Sequence, residues 1–69
     1  MNEKDFLKKM KEILDNEDVG MDSVLEDIEE WDSLSVVSYA TIANGCGKTV
    51  TLPQIRGCTT IRELYALLQ

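Results

Sequence analysis

No histidine occurs among these 69 residues. That removes the usual general base for a serine or cysteine nucleophile, so neither triad nor Cys–His chemistry is available to the chain acting alone. Cysteine is nearly as scarce. Cys46 and Cys58 are the only two, and two thiols without histidine make a poor zinc site. In a reducing compartment they are expected to stay as thiols, small side chains that fill gaps in packing. No apolar run approaches the roughly 18 residues of a membrane span, and the start, Met1 to Asp5, has no signal-peptide core. No membrane insertion and a cytoplasmic location are therefore the expectations. Alternation of the kind a strand needs is missing too, except for Val50 with its threonine neighbours, which is too short to build a sheet.

Positive charge is absent from one long stretch. Residues 15–32 contain Asp15, Glu17, Asp18, Asp22, Glu26, Asp27, Glu29, Glu30 and Asp32 with no lysine or arginine, a local charge of −9 in a chain whose net charge is −6. Such a surface argues against nucleic acid as a partner and for a protein that docks through a basic face. The acids are spread along a solvated segment rather than paired in an apolar pocket, so a carboxylate dyad is unsupported as well. The chain is expected to be no enzyme.

What is present is helical. Phe6, Leu7, Met10, Ile13 and Leu14 form one stripe of an amphipathic helix, with Lys8, Lys9, Lys11 and Glu12 on its wet side. Asn16 and Gly20 are expected to break it. A loop over 16–32 follows, longer than most in compact domains, whose Val19, Met21, Val24, Leu25 and Ile28 should fold back onto the core. A second helix is expected from Ser33 to Asn44, ended by Gly45-Cys46-Gly47. Thr51-Leu52-Pro53-Gln54 and Thr60-Ile61-Arg62-Glu63 read as capping boxes for a short third helix, stopped by Gly57, and a fourth with the stripe Ile61, Leu64, Tyr65 and Leu68. Tyr39 and Tyr65 read as helix residues with wet hydroxyls. The fold class expected is all-α, one domain over residues 1–69, and a monomer.

Two motif fragments lead nowhere. Asp15, Gly20 and Glu26 fall at positions one, six and twelve of an EF-hand loop, but Val19 stands at the fifth position and has no oxygen to offer calcium. A degenerate calcium-binding module is kept only as an alternative, and no metal is expected. Gly47-Lys48-Thr49 looks like the tail of a P-loop, yet Ile42 occupies the place of its first glycine and no strand precedes it.

The most informative stretch is Trp31-Asp32-Ser33-Leu34. It places a serine at the junction of the acidic loop and the apolar run Val36, Val37, Tyr39, Ala40, Ile42 and Ala43. A serine with no base beside it can still be an attachment point loaded by another enzyme. Asp32-Ser33-Leu34, its position near the middle of a short acidic chain, and the helix order around it resemble the phosphopantetheine attachment region of acyl and peptidyl carrier proteins. The resemblance covers essentially the whole chain. It implies a four-helix bundle of the carrier type, with a long first loop and a short third helix. It also implies 4′-phosphopantetheine joined covalently to Ser33, which makes the chain a phosphoprotein, with an acyl or aminoacyl cargo held on the arm as a thioester. Asp32 reads as the N-cap of the second helix. The helix dipole there favours a phosphodiester, and Leu34 is expected to point inward and leave Ser33 outward.

The implied partners are a phosphopantetheinyl transferase, an acyl- or aminoacyl-loading ligase and a downstream acyltransferase or synthase. Glu29, Glu30, Trp31, Val36 and Thr41 are the candidate contacts, with Trp31 either a lid on the core or a guide for the arm. One departure is plain: residues 33–44 contain no acid, whereas that helix in fatty-acid carriers is studded with them. The chain therefore looks more like a carrier for specialised biosynthesis than one for housekeeping fatty-acid synthesis. The alternative from another class is a small acidic helical adaptor that binds a basic partner non-covalently.

Overall fold

A computed structural model describes residues 1–69. It contains four helices and no strand: α1 (Glu3–Leu14), α2 (Ser33–Gly45), α3 (Leu52–Arg56) and α4 (Ile61–Ala66), with one 3₁₀ turn (Leu25–Asp27) inside the long loop. The all-α reading holds, as do the order of elements and the short third helix.

Helix α1 starts where the Asn2 side chain accepts a hydrogen bond from the Asp5 N–H at 2.8 Å. Its stripe buries Phe6, Met10 and Leu14. It ends one residue before the expected break. Asp15 takes a left-handed conformation (φ 50°), and the Asn16 N–H reaches back to the Lys11 carbonyl at 3.1 Å. The expectation had given this role to Asn16 and Gly20. Asp tolerates that conformation better than most side chains, because its short polar group bonds locally.

The loop folds inward as its pattern predicts, except at Val24, which is only half-buried, stays outside the core and pairs along the backbone with Thr60. Val19, Met21, Leu25 and Ile28 are all buried in the common core. Three backbone bonds pin the loop to the start of α4: Leu25 N–H to Thr59 O, Ile61 N–H to Ser23 O, and Arg62 N–H to Met21 O, at 2.8–3.2 Å. Arg62 adds exposed ion pairs to Glu3 and Asp22. The loop is thus held by burial and main-chain bonds, and exposed pairs of this kind contribute little.

The buried face of α2 is Ser35, Tyr39 and Ala43, spaced four apart. Tyr39 corrects an expectation: its hydroxyl is not wet. The side chain is fully buried, packs edge-on against Phe6 with ring centroids 6.2 Å apart, and donates its O–H to the Leu64 carbonyl at 2.6 Å. That carbonyl needs a side-chain donor, because the Leu67 and Leu68 N–H groups go to Glu63 and Tyr65 instead. The contact ties α2 to α4 through the centre of the molecule.

Helix α3 carries the full capping box, with Thr51 and Gln54 satisfying each other's backbone N–H. At α4 the Thr60 hydroxyl accepts from Glu63 N–H, but the Glu63 carboxylate accepts from Thr59 N–H, one residue before the expected partner.

Candidate functional site

Ser33 is the first residue of α2 and is exposed. Its hydroxyl makes no hydrogen bond within the protein, whereas that of neighbouring Ser35 is engaged. The difference comes from the cap. Asp32 lies in an extended conformation, and one of its carboxylate oxygens accepts from the N–H groups of Leu34 and Ser35 at 3.0 and 3.1 Å. As expected, Asp32 is the N-cap.

Leu34 overturns an expectation. It does not point inward but is 77% exposed, among the most exposed large apolar side chains of the chain. What fixes the start of α2 is Ser35, only 5% exposed, whose hydroxyl donates to the Glu30 carbonyl at 2.6 Å and lies 3.3 Å from the Asp32 carboxylate. The loop is bonded to the helix by a serine rather than anchored by a leucine. Sequence reasoning passed over Ser35 because serine in a helix ordinarily faces water or weakens the helix.

Ser33 sits on a cleft of about 580 Å³. Leu25 and Ile28 from the loop, Val36 from α2, and Leu52 and Ile55 from α3 make most of its wall, with Trp31 and Cys58 beside them. Trp31 is half-buried and packs on the core while lining the cleft, so the lid and guide positions coincide in one place. Val37 lines the cleft as well, whereas Ala40, Val50 and Ile61 do not. Leu52 and Arg56 were missed, although their spacing of four residues marks one face of α3.

The charged residues on the cleft are Glu26, Asp32 and Arg56. Burial, and secondarily Glu63, pushes the Cys58 thiol above its ordinary range, so it is a protonated thiol rather than a thiolate at neutral pH. Burial also pushes the Tyr39 phenol well up, with Cys58 and Cys46 adding to it. Both cysteines are free and half-buried against the core.

The candidate contact residues divide. Glu29 and Glu30 are exposed, and the Glu30 carboxylate accepts from Asn16 at 3.2 Å. Val36, expected on the outer surface, instead leans into the cleft and core. Thr41 is exposed but turns its hydroxyl to the Val37 carbonyl at 3.1 Å. The outward apolar surface is made by Leu34, by Val37 at 64% exposure and by Leu52 at 53%. No three acidic or thiol side chains converge into a set that could hold a metal ion. Val19, at the fifth position of the calcium-like spacing, is buried in the core. No helix is long and apolar enough to cross a membrane.

Comparison with models of known families, with curated proteins and with solved structures finds no match.

Proposed function

We propose that this chain is a carrier protein that holds an acyl or aminoacyl cargo as a thioester on a 4′-phosphopantetheine arm attached to Ser33. The observation that carries the reading is a free, exposed serine hydroxyl on the rim of an apolar cleft, at a helix start held by Asp32 and Ser35. A hydroxyl so placed is open to an incoming enzyme and costs no internal bond when esterified. The residues fit the group: Ser33 supplies the oxygen, and the cleft beside it offers apolar wall to whatever the oxygen bears.

In the attachment step the Ser33 oxygen forms a phosphoester bond as the pyrophosphate link of coenzyme A breaks and the nucleotide half leaves. The serine proton passes to a base on the transferase, since this chain has no histidine to accept it. The bound arm supplies the thiol on which cargo is carried. Asp32 and Ser35 keep Ser33 at the head of a rigid helix, and Leu34, Val37 and Leu52 give an enzyme an apolar landing beside it. The acidic loop next to them suits a partner with a basic rim. Because α2 itself carries no acid, we place the carrier in specialised biosynthesis, served by its own ligase and acyltransferase or synthase.

Exposed acids next to exposed Leu34 and Val37 would equally serve an adaptor that docks without chemistry. The two readings part at one measurement. Incubation with coenzyme A and a promiscuous phosphopantetheinyl transferase should raise the intact mass by one phosphopantetheine, and Ser33→Ala should abolish the gain. No gain in the parent chain favours the adaptor; a gain that survives Ser33→Ala moves the attachment elsewhere.

A further inference from the structure

Arg56 is the only cation on the Ser33 cleft. The chain has seven basic residues: Lys4, Lys8, Lys9 and Lys11 belong to α1, Lys48 to the loop after α2, and Arg62 is taken by Glu3 and Asp22. Arg56 is exposed and makes no ion pair, although Glu26 lines the same cleft. It lies on the same face of α3 as Leu52 and Ile55, which form apolar wall there.

An anion on Ser33 meets an unhelpful setting at its own helix. The N–H groups of Leu34 and Ser35, which a helix start would otherwise offer, are already bonded to the Asp32 carboxylate. That carboxylate and Glu26 add negative charge to the same cleft. The expectation that the start of α2 would welcome a phosphodiester is therefore weakened by its own cap. Compensation has to come from elsewhere, and Arg56 is the one cleft residue able to give it. A guanidinium is permanently charged and presents a planar fork of donors that matches two phosphate oxygens.

We propose that Arg56 is a positioning residue that holds the phosphodiester of the Ser33-linked arm and so directs the arm along the cleft over α3. The inference rests on the carrier reading. Without an arm, Arg56 is a solvated surface cation. With one, it sets which way the arm leaves the helix start and shelters the first part of it against Leu52 and Ile55.

The test begins with loaded protein, verified by intact mass; a chain that takes no arm overturns the carrier reading and is recognised at this step. Phosphorus NMR is then recorded at low salt for the loaded parent, Arg56→Gln and Arg56→Lys. The parent resonance should be displaced from that of free phosphopantetheine and broadened. Arg56→Gln should move it toward the free position and sharpen it, with Arg56→Lys between the two. Raising salt should move the parent toward the same limit, because screening acts on the contact without altering the chain. A resonance identical in parent and Arg56→Gln at low salt overturns the proposal. So does a dependence on Arg56 that appears only after loading a cargo ending in a carboxylate, since the anion held would then be the cargo's.

Discussion

Replacing Leu34 and Ser35 separately by alanine opposes two accounts of what holds the start of α2. At 77% exposure, Leu34 has about a quarter of its side chain out of water. Full burial of a leucine contributes about 1.5–3 kcal/mol, so the buried part contributes roughly 0.4–0.8 kcal/mol. Alanine's better helix propensity returns a few tenths. Leu34→Ala should therefore change stability by no more than about 0.5 kcal/mol. Ser35→Ala removes a 2.6 Å bond from a buried hydroxyl and leaves the Glu30 carbonyl without its donor. A deserted acceptor costs about 1–3 kcal/mol, and because this one is only part-buried and alanine favours the helix, about 1–2 kcal/mol should remain. For a small domain with a urea m-value near ~1 kcal/mol/M, the midpoints should fall by less than about 0.5 M for Leu34→Ala and by about 1–2 M for Ser35→Ala. Urea titration followed by Trp31 fluorescence and by circular dichroism reads both. A fall above about 1.5 M for Leu34→Ala, or none for Ser35→Ala, would refute the reasoning.

Tyr39→Phe should cost about 1–3 kcal/mol by leaving the Leu64 carbonyl unpaired, and equal stability of the two proteins in a thermal melt would show that water replaces the hydroxyl. The same phenol governs alkaline stability. Its proton is held more tightly in the folded state than in the unfolded chain, so its contribution is complete below the unfolded value near ~10 and is lost as pH rises above it, by up to ~1.4 kcal/mol per pH unit. Cys58 shifts in the same direction and adds a loss that begins lower. Tyr39→Phe should thus flatten the decline between about pH 10 and 12, and parallel curves for the two proteins would remove Tyr39 from the account. Glu29→Gln with Glu30→Gln should slow transferase encounter at low salt by about three- to ten-fold and match the parent at high salt. Val37→Asp should slow transfer at every ionic strength, because its charge enters an apolar contact; rates equal to the parent across the series would leave the loop and α2 as plain solvated surface.

Where a helix has two distinct faces, the sequence orients it. In α1 the lysines mark water, and the residues opposite, Phe6, Met10 and Leu14, are the buried ones. Caps were equally legible, since Asp32, Thr51 and Thr60 act through side chains whose geometry is local. The stop of α1 at Asp15 was not, because a left-handed aspartate is decided by the chain's route toward Val19 and Met21 rather than by its own preference. The cleft was legible only in part. Its floor comes from residues far apart in the chain, Leu25 and Ile28 with Ile55, and no local spacing joins them.

Helix α2 is where orientation failed, and the cause bears on function. Leu34, Val36, Val37, Tyr39, Ala40, Ile42 and Ala43 place apolar atoms on every side, so no charged residue identifies the wet face. The core can take only one face, and it takes Ser35, Tyr39 and Ala43 because Tyr39 reaches the Leu64 carbonyl and Ser35 the Glu30 carbonyl. Leu34 and Val37, three residues apart, are then left in water on the face beside Ser33, with Leu52 exposed nearby on α3. Folding does not need them there, since their exposure stabilises nothing within the chain. On the proposed reading, their use lies in contact with a partner. On the carrier reading, an apolar face next to a free serine and beside an acidic loop is what an enzyme approaching Ser33 would meet: charge would guide the encounter, and Leu34, Val37 and Leu52 would supply the close contact that follows.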